Sequence, residues 1–267
     1  MSNKAKIREA AKTLVPMDDV MFCKMAEDRD FCQKILQVIM NDPRLQVIDN
    51  APQFAVTNLQ GRSVILDAYC KLGNGRKIDI EVQKANDDDH QKRVRYNGSV
   101  LTANITDPGS RFEKVPDVCV IFISRFDMFK DGMPIYHVDR VVRETGRVVD
   151  NGFEEIYVNA AINDGSDVSE LMEVFVNEKT YNDKFPFISA GKRRYKETEE
   201  GQRIMCEIME KLNEETREET RNETLNEINA LNIKLINENR LDDLRRAATD
   251  TEYQAQLLKE LLPKRAH

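Results

Sequence analysis

VILDAYCKLGNGRKIDIEVQ, residues 64–83, is the stretch that predicts the fold. The dipeptide Asn74-Gly75 near its middle favours the positive φ angles of a tight hairpin turn. On either side, residues 62–70 and residues 77–83 alternate in the manner of strands. One face of the second strand carries Ile78, Ile80 and Val82, and its other face carries Asp79, Glu81 and Gln83. The stretch therefore predicts an antiparallel hairpin with one acidic face.

Three polar side chains would meet at one position of this hairpin. Pairing around the turn places Asp67 level with Glu81 or Gln83, so two carboxylates and an amide come together. Adjacent carboxylates repel each other, and a hard divalent cation with oxygen ligands relieves that repulsion. Such a cation also activates water for attack on a phosphodiester. The residues alone favour a plainer interpretation, in which the acids form the solvated face of an antiparallel hairpin.

The rest of the chain predicts an α/β protein with a helical end. Apolar spacing predicts a helix over residues 16–40, and residues 86–89 offer N-caps for a helix that extends to about Ile105. Residues 47–53 are ambiguous. Strands are predicted at residues 116–122, 135–142, 147–149 and 155–160, and a short helix at residues 167–176.

The sequence becomes almost purely helical in character from about Glu197. Apolar residues at helical spacing flank residues 214–223, which are almost wholly polar, so this part of a helix must face solvent or pair with another chain. One or two short helices follow at residues 240–262. We therefore expect two parts, residues 1–196 and a helical region of residues 197–267 that mediates self-association or packs on the core.

Bulk properties limit the classes of protein that fit. The net charge of −7 argues mildly against strong nonspecific DNA binding, although a local basic groove remains compatible with it. Five scattered cysteines without a CxxC pair indicate reduced thiols, and three dispersed histidines do not match a zinc site. The sequence has no apolar leader and no run of about 18 apolar residues, so we expect a cytoplasmic protein without a membrane span.

Five sequence blocks follow one another between Leu14 and about Ser124. They are D-x-x-F at residues 19–22, the strands at residues 64–69 and 77–83, R-x-x-Y at residues 93–96, and the apolar run at residues 115–123. In this order they resemble the PD-(D/E)XK nuclease family transposases, also called recombination-promoting nucleases. Residues 239–244 and 250–253 are similar to the helical tail of that family, whereas residues 127–196 resemble it less specifically.

The resemblance implies a fold and an activity. The fold is α/β, with a restriction-endonuclease-like mixed sheet flanked by helices and an α-helical C-terminal extension. The activity is metal-dependent DNA endonuclease cleavage in recombination, mobile elements or defence. Asp67 and Glu81 would be ligands of Mg²⁺, with Mn²⁺ or Ca²⁺ as alternatives, and Asp19 would be a further acid beside the site.

Gln83 departs from the motif that names the superfamily, because it stands where a lysine is usual, although the resemblance implies that glutamine is common at this place in the family. A neutral amide cannot act as a general base and brings no positive charge, although it can orient a water molecule. The departure makes low activity an open alternative. Two further alternatives are a noncatalytic interaction protein with a nuclease fold, and a DNA-binding module without cleavage. Clustered carboxylates argue against the last, since they repel DNA.

Two basic clusters are candidates for nucleic-acid contacts. Arg93 and Arg95, on the helix after the acidic strand, could contact phosphates, and a solvated helix face explains them equally well. Lys192, Arg193 and Arg194 form the densest basic cluster and could follow a nucleic-acid backbone. An ordinary charged loop is the favoured interpretation of that second cluster. DNA and a second copy of the chain, joined through the C-terminal helices, are the expected partners.

Overall fold

The computed structural model describes residues 3–59 and 61–262. Its helices are α1 (Asn3–Thr13), α2 (Asp19–Met25), α3 (Arg29–Ile39), α4 (His90–Ile105), α5 (Asp167–Val176), α6 (Pro186–Glu197), α7 (Glu199–Asn237), α8 (Leu241–Ala247) and α9 (Thr251–Leu261). Its strands are β1 (Val47–Val56), β2 (Val64–Leu72), β3 (Lys77–Gln83), β4 (Val118–Ser124), β5 (Ile135–Val138), β6 (Val141–Val142), β7 (Arg147–Val148) and β8 (Phe153–Asn159).

A mixed six-stranded sheet forms the centre of the fold, in the order β1-β2-β3-β4-β8-β5. β4 pairs in parallel with both β3 and β8, and the other neighbours pair antiparallel. β6 and β7 form a separate two-stranded hairpin. A parallel neighbour requires a crossover connection, and α4 supplies it between β3 and β4. The mixed sheet flanked by helices confirms the predicted fold class.

The predicted hairpin is present as β2 and β3. Gly75 takes the positive φ of 93° that the Asn-Gly turn predicted, and its amide bonds to the carbonyl of Leu72. The Cα partners of the two strands extend to Ala68 opposite Ile80. Beyond that pair the regular ladder stops, and the next residues of the two strands are Asp67 and Glu81.

α4 and the strands beneath it share one hydrophobic core. All seven residues of β4 are buried, as expected for a central parallel strand. Val94 and Leu101 of α4 join Val120 and Phe122 of β4 in one cluster. Gly98 allows this close approach, because a Cβ at that position would lie 2.3 Å from the Phe153 ring. The packing fixes the rotation of α4 about its axis and therefore the direction of its polar residues.

The single helix predicted over residues 16–40 was wrong, since two helices occupy that stretch. α2 ends near Ala26, and Asp28 caps α3 by accepting a hydrogen bond from the amide of Asp30 at 2.9 Å. An Asp side chain competes for backbone amides in this way and favours a helix start over a helix interior. Apolar spacing alone could not place this break.

Three other elements also differ from the prediction. The ambiguous residues 47–53 belong to β1, which pairs only with β2 in the described part of the chain. The strand predicted over residues 135–142 is two strands, β5 and β6. The basic cluster at residues 192–194 lies on α6 and not on a loop.

The chain divides into two compact units, residues 1–206 and residues 207–267, and the division falls within α7. In the second unit, Leu231 and Leu235 of α7 form a small core with Ala247 and Leu257. The polar residues 214–223 are exposed along their whole length in the single chain, which fits both predicted alternatives. Across the described residues, every helix is too short or too polar to cross a membrane.

Candidate active site

Asp67 and Glu81 face each other where the β2–β3 ladder ends. The amide of Asp67 donates to Oε1 of Glu81 at 3.2 Å, and the amide of Val82 donates to Oδ2 of Asp67 at 3.0 Å. Each carboxylate thus bonds to a backbone amide of the opposite strand. The structure brings these two predicted acids together and fixes their orientation.

Burial separates this site from an ordinary polar strand face. Asp67 is 9% exposed, Glu81 is 1% exposed and Asp79 is 0% exposed. The interpretation as a solvated hairpin face was therefore wrong, because β3 is flanked by β4 and the acids point towards the side that α4 covers. Burying an ionised carboxylate without a positive partner costs free energy. The site therefore favours the binding of a positive charge beside these acids.

Burial also determines how the acids ionise. It raises the pKa of Asp67 to about 8, with Glu81 adding a like-charge contribution. Burial raises the pKa of Glu81 as well, and the neighbouring Arg93 opposes that increase. Two acids with raised pKa values at one point are typical of sites that bind cations or transfer protons.

Arg93 of α4 connects Glu81 to Gln83. Its Nη2 donates to Oε2 of Glu81 at 2.6 Å, and its Nη1 donates to Oε1 of Gln83 at 3.1 Å. Nε2 of Gln83 donates to the carbonyl of Ala85 at 3.0 Å. The structure therefore brings Gln83 and Arg93 into one hydrogen-bonded group with the acids.

α2 brings a further acid and a thiol to the same place. Asp19 lies near enough to Asp67 to contribute to the raised pKa of Asp67, and the pKa of Asp19 is itself raised by burial and by Asp18. One turn later, the thiol of Cys23 donates to the main-chain oxygen of Asp67 at 3.8 Å and accepts from Nε2 of Gln53 at 2.8 Å. Burial and Asp67 raise the pKa of Cys23 to about 12, so it stays a neutral thiol.

Asp79 is a member of the site that the sequence analysis did not single out. It is completely buried, and neither of its carboxylate oxygens has a hydrogen-bond partner in the described part of the chain. Burial and the nearby Glu81 raise its pKa well above the ordinary value. The alternation of Asp79, Glu81 and Gln83 on one strand face was the signal that could have identified it.

The donor set suits a hard divalent cation. No group of three or more His, Cys, Asp or Glu side chains is arranged to hold a metal ion within residues 3–59 and 61–262. Magnesium, however, commonly takes only one or two carboxylates from a protein and completes its octahedron with water. Asp67 and Glu81 supply two, and the buried carboxyl group of Asp79 beside them, whose oxygens have no hydrogen-bond partner among the described residues, is a third acid that a cation would help to ionise. The residues present therefore fit the group.

Comparison with protein families agrees with this site. A family model described as PD-(D/E)XK nuclease family transposase matches residues 19–230 of 267. The chain belongs to this family. Comparisons with curated proteins and with solved structures find no match. The six-stranded mixed sheet is consistent with the fold of the family, and membership supports a nuclease-type enzyme in general.

Three of the basic residues that were predicted to contact nucleic acid are exposed. Arg95 is exposed on α4, and Arg193 and Arg194 are exposed on α6, where they lie over the rings of Tyr181 and Tyr195. These three guanidinium groups are accessible to a ligand.

Lys192 corrects the expectation of a phosphate contact. It is 0% exposed, and its ammonium donates to the carbonyls of Val174 at 3.2 Å, Thr180 at 2.8 Å and Asn177. A charge that is buried and bonded to three carbonyls is not presented to DNA. Lys192 instead ties α6 to the C-terminal end of α5.

Proposed function

We propose that this chain is a metal-dependent DNA endonuclease that hydrolyses phosphodiester bonds. The observation that carries the proposal is the pair Asp67 and Glu81, which are buried together and held by each other's strand. Family membership supports the same reaction class. Asp67 and Glu81 are the proposed ligands of Mg²⁺, for which Mn²⁺ or Ca²⁺ are alternatives, and Asp19 is the proposed further acid.

The residues of the chain have separate proposed roles. A divalent cation, when bound, supplies charge neutralisation at the phosphate and a lowered pKa for water. Asp67 and Glu81 hold their oxygens ready for it, because backbone amides fix both side chains before any ligand arrives. Gln83 orients a water molecule through its amide oxygen. Arg95, Arg193 and Arg194 are proposed to contact DNA phosphates.

The decisive experiment follows nicking of supercoiled DNA by the full chain. We expect nicking with Mg²⁺, none with EDTA, and a loss of at least about 100-fold in Asp67→Ala, because removing one ligand of a catalytic cation disables the site. Asp49→Ala is the matched control, since Asp49 is an exposed acid on the neighbouring strand β1. Equal nicking by Asp67→Ala and the wild type would remove the proposed site.

A specific contact supports a second candidate, a nuclease fold with weak or no cleavage. Both ends of the Gln83 amide already have partners, Arg93 at its oxygen and Ala85 at its nitrogen. Such a protein would act as an interaction or DNA-binding module. Nicking and Mn²⁺ binding measured together separate the two candidates, because this one predicts divalent-cation binding that depends on Asp67 without nicking.

The cellular setting and the oligomer are also proposals. Recombination, mobile-element or defence activity is the setting that family membership supports. Self-association through the C-terminal helices is supported by apolar side chains that α7 leaves exposed, including Leu225, Ile233 and Ile236. A two-fold dimer would suit cleavage of both strands of a duplex. A cytoplasmic location stays a prediction.

A further inference from the structure

Arg93 has the geometry of a positioning residue and not of a surface basic residue. Its guanidinium is half-buried and makes bonds of 2.6 Å to Oε2 of Glu81 and 3.1 Å to Oε1 of Gln83. The first is a short, charge-assisted bond to a carboxylate that is 1% exposed. The rigid fork of an arginine can reach two acceptors at once, which a lysine cannot do in the same way.

The contact determines which way the Gln83 amide points. An arginine has donors and no acceptors, so the atom of Gln83 that faces it must be the oxygen. Nε2 then points to the carbonyl of Ala85 at 3.0 Å and to Oδ1 of Asp87 at 3.4 Å. Arg93 therefore holds the oxygen end of the amide, while Ala85 and Asp87 hold its nitrogen end.

Packing holds Arg93 at this place from outside the strand. Asp89 caps α4 by accepting from the amide of Lys92 at 3.1 Å. Val94 and Asn97, the residues next to Arg93 and one turn after it, are buried. With the start of the helix capped and its rotation fixed, Arg93 is directed at the end of β3.

The contact between Arg93 and Glu81 places a positive charge among several buried acids. Asp67, Asp79 and Glu81 are buried acids, and the residue two positions after Glu81 is the neutral Gln83. The next residue, Lys84, forms an ion pair with Asp18 and not with these acids. Arg93 brings a positive charge to Glu81 from α4, whereas the basic residue of β3 itself, Lys77, lies at the other end of that strand.

We propose that Arg93 positions Glu81 and Gln83 and supplies the fixed positive charge of the active site. The proposal rests on the endonuclease function proposed above. It predicts two effects of opposite sign. The guanidinium competes with a divalent cation for Glu81 and repels it, so removing Arg93 strengthens metal binding. The same removal weakens cleavage, because the oxygen of the Gln83 amide loses the partner that holds it and the reacting phosphate loses a nearby charge.

The first test measures Mn²⁺ binding to the full chain by calorimetry, without DNA. We expect Arg93→Met to bind Mn²⁺ about tenfold more tightly than the wild type, since like charges a few ångströms apart near a protein surface repel strongly. Arg44→Met is the charge-matched control, because Arg44 is exposed and lies outside the site; it should leave the affinity unchanged. Unchanged or weaker Mn²⁺ binding by folded Arg93→Met would overturn the proposal.

The second test measures nicking at saturating Mg²⁺. We expect Arg93→Met to lose about 100-fold in kcat with little change in KM, and Arg93→Lys to recover part of the loss. A pure phosphate contact would instead raise KM and reduce the salt dependence of DNA binding. A change confined to KM would therefore overturn the proposal.

Arg93→Lys also covers the case in which Arg93→Met does not fold. A lysine keeps a charge near Glu81 but cannot bond to Gln83 at the same time, so we expect near-wild-type Mn²⁺ affinity with a kcat about tenfold lower. Wild-type kcat in Arg93→Lys would contradict the positioning role. If the wild type binds Mn²⁺ through Asp67 but never nicks, the endonuclease proposal fails while the calorimetric comparison still decides whether Arg93 opposes the cation.

Discussion

At the residue scale, the buried acids of the site lower the stability of the folded protein. Asp67, Asp79 and Glu81 are buried in the same part of the sheet, and burial raises the pKa of each. Functional sites commonly carry groups with perturbed pKa values, because binding or catalysis requires buried polar groups that lower the stability of the fold. The pH dependence of stability is therefore a direct measurement of the site.

We predict that the metal-free protein loses stability between about pH 4 and pH 8. The pKa of Asp67 is raised from 3.8 to about 8, so the unfolded chain ionises first and the folded chain must keep the proton. The penalty from Asp67 begins above pH 3.8, grows as the pH rises, and stops growing above about pH 8. Each unit of raised pKa corresponds to about 1.4 kcal/mol.

Denaturant unfolding in EDTA at several pH values would measure this effect. Asp67→Asn removes the titrating group and keeps the shape, so its stability should fall less steeply over the same range. Mg²⁺ should also reduce the slope in the wild type, because a bound cation favours the ionised acids. Parallel slopes for the wild type and Asp67→Asn would show that Asp67 ionises normally in the fold.

At the element scale, a basic residue of α6 supports a neighbouring helix. The last carbonyls of any helix lack hydrogen-bond partners inside that helix. At the end of α5, the Lys192 ammonium donates to the carbonyls of Val174 and Asn177, and it also donates to the carbonyl of Thr180 in the loop that follows. Burial and Lys196 lower the pKa of Lys192 to about 8. Lys192 thus connects α6 to the end of α5.

Lys192→Met is expected to lower the free energy of unfolding by about 2 kcal/mol, because it leaves buried carbonyl groups without donors. Chemical denaturation would measure the loss. Arg193→Met is the matched control: its exposed neighbour position predicts a change within about 0.5 kcal/mol. Wild-type stability combined with weaker DNA binding in Lys192→Met would restore the phosphate contact that the structure argues against.

At the scale of the whole molecule, the two compact units invite separate tests. The second unit has a small core of its own, and α7 exposes Leu225, Ile233 and Ile236 to solvent. Exposed apolar residues along one helix are a common basis for association. The two compact units divide between Cys206 and Glu207, whereas the change in composition predicted a boundary at residue 196.

We predict that residues 1–206 alone are monomeric, whereas the full chain self-associates. Light scattering over a range of concentrations would measure both, and an unfolding midpoint that rises with concentration in the full chain alone would agree. Circular dichroism is the control that the shortened chain is folded. The same oligomeric state in both chains would exclude the C-terminal helices as the interface.

The sequence by itself determined the local structure of the site, namely a hairpin with its polar residues on one face. Strict alternation and the Asn-Gly turn define the β2–β3 hairpin, and the period of two places Asp79, Glu81 and Gln83 on one face. The apolar run at residues 116–122 predicted β4 in the same way. These features depend on neighbours within a few residues, so they can be inferred without knowing the fold.

Only the tertiary structure decided what that face does. Whether Glu81 meets solvent depends on β4, which pairs beside it after the intervening helix α4, and on Arg93, which α4 directs at it. Whether Lys192 meets DNA or three carbonyls depends on α5, which lies earlier in the chain. Burial and ion pairing are set by contacts between residues far apart in sequence, and periodicity carries no information about such contacts.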